Sequence, residues 1–303
     1  MAGTGQAWSR RRKRSRPAVK TPAREHRVAG MRATSEAWRA QGLTVGLVPT
    51  MGALHGGHLS LVGRARGDCD RVVASIFVNP LQFGPGEDFG RYPRQLERDL
   101  DLLARAGVDA VFLPEVAEMF PSGAVTRVQV RGLGERLEGA QRPGHFEGVG
   151  TVVLKLFNAV RPQRAYFGQK DAQQAALVRR LARDLDTGVE VVVCPIVREG
   201  DGLALSSRNA YLAAAERPAA TCLYRALRAA NQLYLDGERD PARLRACLLD
   251  VLGAEPLAKV DYAEVVDPET FTPPGSLAVL AVRFGGTRLI DNHRLGERLP
   301  DGS

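Results

Sequence analysis

The chain has 303 residues, 44% of them hydrophobic and 25% charged, with a formal net charge of +8. That length supports one or two domains with a sizeable core, and no apolar run approaches the roughly 20 residues of a membrane-spanning helix. The excess charge sits at one end: nine Lys/Arg and a single acid, Glu25, fall within residues 1–27, leaving 33 of each sign in the remainder. Residues 1–27 therefore read as a basic, disordered extension, and the neutral remainder argues against nucleic-acid binding as the main function. No hydrophobic segment follows the charged start, so no secretion signal is expected. Four scattered cysteines without a CxxC pair fit a reducing, cytoplasmic setting better than a disulfide framework or a zinc site.

In chain order, residues 31–41 predict a short helix and 43–48 a buried strand. A helix starting near His58 carries Leu59, Val62 and Ala65 on one face, and "RVVASIFVNP" reads as a second buried strand stopped by Asn79-Pro80. Residues 93–106 give an amphipathic helix with Leu96, Leu100 and Leu103 at helical spacing; "DAVFLP" is a third strand, and the alternating "VTRVQV" predicts a more exposed one. A helix over 148–160, the strand "RAYFG", a helix over 171–184 and the strand "VEVVVCP" follow. Strands alternating with helices imply a parallel α/β sheet with right-handed crossovers. After about residue 200 the pattern changes to two helices (216–235 and 241–252) and three strand-like segments, "VDYAEVV", "LAVLAVRF" and "TRLIDN", which predict a smaller C-terminal α+β domain.

The stretch "VPTMGALHGGHLSLV" puts His55 and His58 among small residues, at the carboxyl end of the first long strand and the start of the next helix. Small residues let backbone approach a phosphate, and free N–H groups at a helix N-terminus favour an anion. Neither GxxxxGK[ST] nor GxGxxG is present. The distinguishing feature is HxGH, whose two imidazoles can donate hydrogen bonds to phosphate oxygens whose charge grows during attack at phosphorus. The plainer alternative has one histidine satisfying backbone and the other at the surface.

Three further stretches carry polar groups at strand ends or in loops. Asn79 and Gln82 in "FVNPLQF" offer neutral amides to a hydroxylated substrate, or simply cap a loop. In "YFGQKDAQQ", Gly168 allows close approach, Lys170 can meet phosphate, and Gln174 lies one helical turn on. In "DGLALSSRN", Ser206, Ser207 and Arg208 make a second phosphate clamp, or an N-cap with a surface arginine.

Together with "YPR", "RPGHFEGV", "KLFN" and "RLIDN", these stretches run in order over residues 28–293, and the chain resembles the pantoate–β-alanine ligase family of the HxGH nucleotidyltransferases. It departs from the family pattern at Gln169, at Arg98 and in the basic extension. The resemblance implies a Rossmann-like nucleotidyltransferase domain over residues 28–199, a smaller α+β lid domain over 200–295, a tail at 296–303, and a homodimer. It also implies ATP-driven joining of pantoate and β-alanine through pantoyl adenylate, with release of AMP and pyrophosphate and with Mg2+ as cofactor.

Carried over by motif, the ATP-binding residues would be Met51, Gly52, Ala53, Leu54, His55, Gly56, Gly57, His58, Gly168, Gln169, Lys170, Asp171, Val197, Leu205, Ser206, Ser207 and Arg208. His58 would take the acid role with His55 supporting it, and Lys170 would act on phosphate. Gln82 and Gln174, with Asn79 beside them, would hold pantoate, Gln82 also lying near β-alanine. Asp99 is the candidate metal ligand; Tyr92 and His145 would be substrate-side or structural. The rival enzyme is another HxGH nucleotidyltransferase, and the rival of a different class is a nucleic-acid-binding protein acting through the basic arm.

Overall fold

The computed structural model describes residues 21–299, so most of the expected basic extension, and residues 300–303 of the expected tail, lie outside the described residues. Six strands form one parallel sheet: β1 (Ala23–Glu25), β2 (Val45–Thr50), β3 (Arg71–Ile76), β4 (Ala110–Phe112), β5 (Arg164–Gly168) and β6 (Glu190–Cys194), in the order β1-β4-β3-β2-β5-β6. The crossovers carry α1 (Val28–Ala40), α2 (Gly56–Asp68), α3 (Leu96–Arg105), the short α4 (Val116–Met119) and α5 (Glu138–Gln141), then α6 (His145–Val160) and α7 (Ala172–Asp184). Helices cover both faces, which is why the central strands read as apolar runs. Val73 packs into the core beneath α1, α6 and α7, while its neighbours Val72 and Ala74 pack into the core beneath α2 and α3.

A second sheet, antiparallel, is built from β7 (Ala258–Val266), β8 (Leu277–Phe284) and β9 (Thr287–Arg294). Its Ala278, Leu280 and Val282 pack with α9 (Cys222–Leu235) and α10 (Pro241–Gly253), which the short α8 (Glu216–Ala219) precedes. The alternate residues Leu277 and Val279, with Val266, join the core of the first sheet instead. A buried polar seam adds to this junction: Arg288 donates to Glu138 and to Asp261, and the Tyr262 hydroxyl donates to Glu138.

The structure differs from the sequence reading at four places. Residues 23–25, expected within the disordered extension, form an edge strand held by β4, with Leu113 N–H donating to the Glu25 carbonyl at 2.7 Å. The first helix starts at Val28, because Glu118, far along the chain, accepts from the Val28 N–H. "VTRVQV" forms no strand: the Val128 N–H donates to the Thr151 hydroxyl on α6 instead of to a neighbouring strand. The helix expected over 216–235 is interrupted, and the Thr221 hydroxyl donates to the Pro218 carbonyl at the break.

Candidate active site

The order of the first sheet reverses at β2, which pairs with β3 on one side and β5 on the other. In open parallel sheets such a reversal opens a crevice beyond the carboxyl ends of the strands. A cavity of about 230 Å3 lies there, lined from β2 and the start of α2 by Met51, His55, Gly57 and His58, and from beyond β3 by Asn79 and Gln82. Gly168, Lys170, Asp171 and Gln174 line it from β5 and α7, and Val197, Leu205, Ser206, Ser207 and Arg208 close it from the loop after β6. Tyr92 and His145 also line it.

The turn between β2 and α2 is bent by Gly52 at φ +82°, a conformation in which a Cβ would stand 3.0 Å from Asp99 Oδ2. His55 then caps α2: its Nδ1 accepts from the Gly57 N–H at 3.1 Å. His58 Nδ1 accepts from the His55 N–H at 3.4 Å, and the two rings lie 4.2 Å apart. With both Nδ1 atoms serving as acceptors, the neutral imidazoles carry their protons on Nε2, as donors toward the cavity both rings line. Burial, reinforced by the neighbouring His55, pushes the His58 pKa down to about 3; burial followed by Lys170 lowers that of His55. Half of the plainer alternative thus holds, since His55 does satisfy backbone, but neither ring is a simple surface group.

The depressed pKa of His58 makes stability depend on pH. An unfolded histidine takes its proton near pH 6.5, whereas folded His58 does so only near pH 3. Between those values the unfolded chain binds more protons, so the contribution is complete above pH 6.5 and is lost as pH falls toward 3. His145, lowered to about 4 by burial and then by Arg142, acts in the same direction. Thermal unfolding of the ligand-free protein should therefore weaken between pH 6.5 and 5 by on the order of 2 kcal/mol from His58. A midpoint in His58→Asn with the same pH dependence as the parent would contradict this.

Asn79 is 1% exposed, and its amide is fully committed: Nδ2 donates to Gln82 Oε1 at 3.0 Å and to the Gly148 carbonyl, while Oδ1 accepts from Leu81 N–H. It caps the turn at Pro80–Gln82 and positions Gln82. Gln82 is left with Nε2, whose one hydrogen-bond partner among the described residues is Met51 Sδ at 3.0 Å, so it presents an N–H to an acceptor in the cavity. The α6 backbone comes this close because residue 148 is glycine; a Cβ there would sit 2.3 Å from the Leu81 carbonyl oxygen. His145 donates from Nδ1 to the Gln82 carbonyl and accepts at Nε2 from Arg142, which also grips Glu87 through two 2.7 Å bonds. His145 is thereby a support of Gln82.

The cationic side is less tied down. Lys170 and Gln174 make no side-chain hydrogen bond or ion pair among the described residues. Arg208 is held by both oxygens of Asp88, and Ser206 Oγ accepts from the Arg208 N–H, so the N-cap reading of that loop also holds. Tyr92, 5% exposed, hydrogen-bonds Ser207.

Not every expected residue reaches the cavity. Gly52, Ala53, Leu54 and Gly56 shape the turn behind it, and Gln169 points away to Asn292. Asp99 is 1% exposed, and its two carboxylate oxygens accept from the Ala53 and Leu54 N–H groups at 2.8 and 2.9 Å. The candidate metal ligand is thus committed to the back of the histidine turn, away from the cavity. The sequence does not single out Glu87, Asp88, Arg142 or Asp291 as site residues: Arg142 and Asp291 stand within "RPGHFEGV" and "RLIDN", whereas nothing local marks Asp88 as a partner of Arg208.

The family model for pantoate-beta-alanine ligase matches residues 24–294. A pantothenate synthetase from Acidobacterium capsulatum is 59% identical over 271 residues, covering 88% of this chain and 90% of its own. The crystal structure of pantothenate synthetase from Thermus thermophilus superposes with a TM-score of 0.85 at 52% identity, covering 90% of this chain and 99% of that one. A pantoate-beta-alanine ligase from Francisella tularensis, whose crystal structure is complexed with beta-gamma ATP and beta-alanine, gives a TM-score of 0.76 at 33% identity, covering 92% of this chain and all of that one. With its sheet order, its paired histidines and these matches over nearly the whole described length, the chain belongs to the pantoate–β-alanine ligase family.

Proposed function

We propose that the protein joins pantoate to β-alanine at the expense of ATP, releasing AMP and pyrophosphate. One observation carries the reading: two neutral imidazoles with Nε2–H free, the N–H of Gln82 and the Lys170 ammonium converge on a single cavity at the strand reversal. In the first step a pantoate carboxylate oxygen bonds to the α-phosphorus as the bond to pyrophosphate breaks. In the second, the amine of β-alanine attacks the acyl carbon, loses a proton, and AMP departs. No enzyme nucleophile is needed, so the side chains have to bring two anions together and stabilise the charge that develops on phosphate oxygens.

In this reading His58 Nε2–H donates to the α-phosphate, His55 holds the turn and donates beside it, and Lys170, Ser206, Ser207 and Arg208 neutralise the remaining phosphates. Val197 borders the adenine, and Gln82 and Gln174 hold pantoate. Arg208 exchanges Asp88 for phosphate when ATP enters.

Among the described residues no three His, Cys, Asp or Glu side chains cluster as a metal cage. That suits Mg2+, which keeps waters and binds through one or two carboxylates plus substrate phosphates; Asp171, on the cavity wall, is the carboxylate to share it. When bound, the ion would neutralise phosphate charge. We also propose the division near residue 200 with the smaller unit covering the nucleotide, and a homodimer. No helix of the described residues is long and apolar enough to cross a membrane.

The deciding assay follows AMP and pyrophosphate with ATP and pantoate, with and without β-alanine. With β-alanine both should accumulate in step with pantothenate; without it, pyrophosphate should stop near one equivalent per site. AMP released at full rate without β-alanine would overturn the reading. Gln82→Ala should raise the KM for pantoate tenfold or more while changing that for ATP by less than threefold, since a lost hydrogen bond to a charged group is worth about 1.5–3 kcal/mol. An equal effect on both substrates would remove Gln82 from pantoate.

A further inference from the structure

The loops at Lys170 and Arg208 follow the paired ends of β5 and β6, where Gly168 stands opposite Cys194, and beyond that pair no hydrogen bond among the described residues joins the two loops. Both are gripped instead by two consecutive residues of β9. Asn292, 3% exposed, donates from Nδ2 to the carbonyls of Gln169 at 2.9 Å and Lys170 at 3.0 Å, and its Oδ1 accepts from Gln169 Nε2 at 2.9 Å. Both N–H donors and the acceptor of this amide are therefore spent on one turn, and the peptide that carries the Lys170 side chain is fixed in orientation.

Asp291, 2% exposed, makes two bonds to Arg198, at 2.6 and 3.0 Å, and also accepts from the Asn292 N–H at 2.8 Å. Arg198 in turn donates to the Gly202 carbonyl, and its backbone bridges Ala204 while Leu205 N–H donates to the Val197 carbonyl. That closed loop delivers Ser206, Ser207 and Arg208 to the cavity. Adjacent side chains on a strand point to opposite faces, so a single dipeptide reaches two loops at once. Neither residue lines the cavity of the histidine pair, but both line an adjoining cavity of about 270 Å3 that shares Lys170 and Arg208 with it.

We propose that Asp291-Asn292 is the positioning element that sets the two phosphate clamps, Lys170 and Arg208, at the spacing ATP requires. This rests on the reading of those loops as the nucleotide site. It gives the C-terminal sheet a part in the first chemical step, and it accounts for Gln169, whose side-chain amide donates to Asn292.

The test uses Asn292→Asp and Asn292→Ala in the full chain. Aspartate keeps the size and the acceptor for Gln169 but turns an oxygen toward two carbonyls; alanine removes all three bonds. Steady-state KM and kcat for the three substrates, equilibrium ATP and pantoate binding, and the unfolding midpoint would be measured for each. Both variants should raise the KM for ATP about tenfold or more and lower the rate of pyrophosphate release, the scale on which small misplacements of a catalytic group act. The KM for β-alanine and the affinity for pantoate should stay within twofold, and Asn292→Asp should do no better than Asn292→Ala. Should Asn292→Asp fail to fold, Asn292→Ser, which keeps a donor of shorter reach, takes its place with an intermediate KM for ATP. An ATP KM within twofold of the parent in folded Asn292→Ala, or an equal rise for all three substrates, would overturn the proposal. ATP binding by the parent protein in the same experiment reports on the site itself: if it is absent, the nucleotide reading fails, and the dipeptide's role with it.

Discussion

His58→Ala should retain its fold and lose adenylate formation by about 10² to 10³, the scale measured when one preorganised donor to a developing oxyanion is removed. The ring's hydrogen bonds among the described residues are few: Nδ1 accepts one long bond of 3.4 Å from the His55 N–H, and the ring packs against the neighbouring imidazole. Losing that weak bond costs little, whereas in the proposed reaction losing an N–H donor to the α-phosphate would raise the barrier of the first step alone. The appropriate readout is single-turnover pyrophosphate release with saturating ATP and pantoate and no β-alanine, which isolates that step. ATP affinity should change by less than about fivefold, because a donor that strengthens mainly in the transition state adds little to ground-state binding. The low pKa also bears on the proposed role: held neutral in the free protein, His58 would act as a hydrogen-bond donor and not as a cation, so the rate should not follow an ionisation near pH 6.5. Pyrophosphate release within threefold of the parent would end the assignment.

The groups expected to face ligand are legible in the sequence because each lies in a compact stretch next to a strand end, where parallel sheets leave backbone and side chains free for binding. His55, His58, Gln82, Lys170 and Arg208 reach the cavity as their motifs imply. The residues that hold them were far less visible. Asp291 meets Arg198 from 93 positions away and Asp88 meets Arg208 from 120, and nothing local in either stretch announces its partner. Strands followed the same division. β2 and β3 are buried on both faces and declare themselves by apolar, β-branched runs, and β5 by its buried Ala-Tyr-Phe, whereas β1 is Ala-Arg-Glu and exists only because β4 offers it a backbone edge. "VTRVQV" has the alternation of a strand but no strand to pair with among the described residues, and a side chain of α6 takes its Val128 N–H. Local pattern reports what a residue can do; pairing across the fold decides what it does.

Asp99 puts that distinction to an experimental choice. As a metal ligand, its loss would raise the Mg2+ concentration needed for activity. As the anchor of the histidine turn, its loss would leave the Mg2+ requirement alone and act on stability and rate. The geometry favours the anchor: its two oxygens accept from successive N–H groups, in a turn where Gly52 stands at φ +82° and Ala53 at φ +50°. A non-glycine residue at positive φ is held there only by its surroundings, and a buried carboxylate accepting two backbone N–H bonds is a strong hold. Asp99→Ala would leave the Ala53 and Leu54 N–H groups without acceptors, at a cost of about 1–3 kcal/mol each. Asp99→Asn would keep one acceptor and set an amide N–H against the other donor, so it should fall between the parent and alanine. Freed from this anchor, the turn relaxes and His55 and His58 lose their aim, so the adenylation rate should drop about 10²-fold, as misplacement of a catalytic group by roughly 1 Å does. Half-saturation by Mg2+, titrated at fixed ATP in Asp99→Asn, should remain within twofold of the parent. A tenfold rise there, with an unchanged unfolding midpoint, would return Asp99 to the metal.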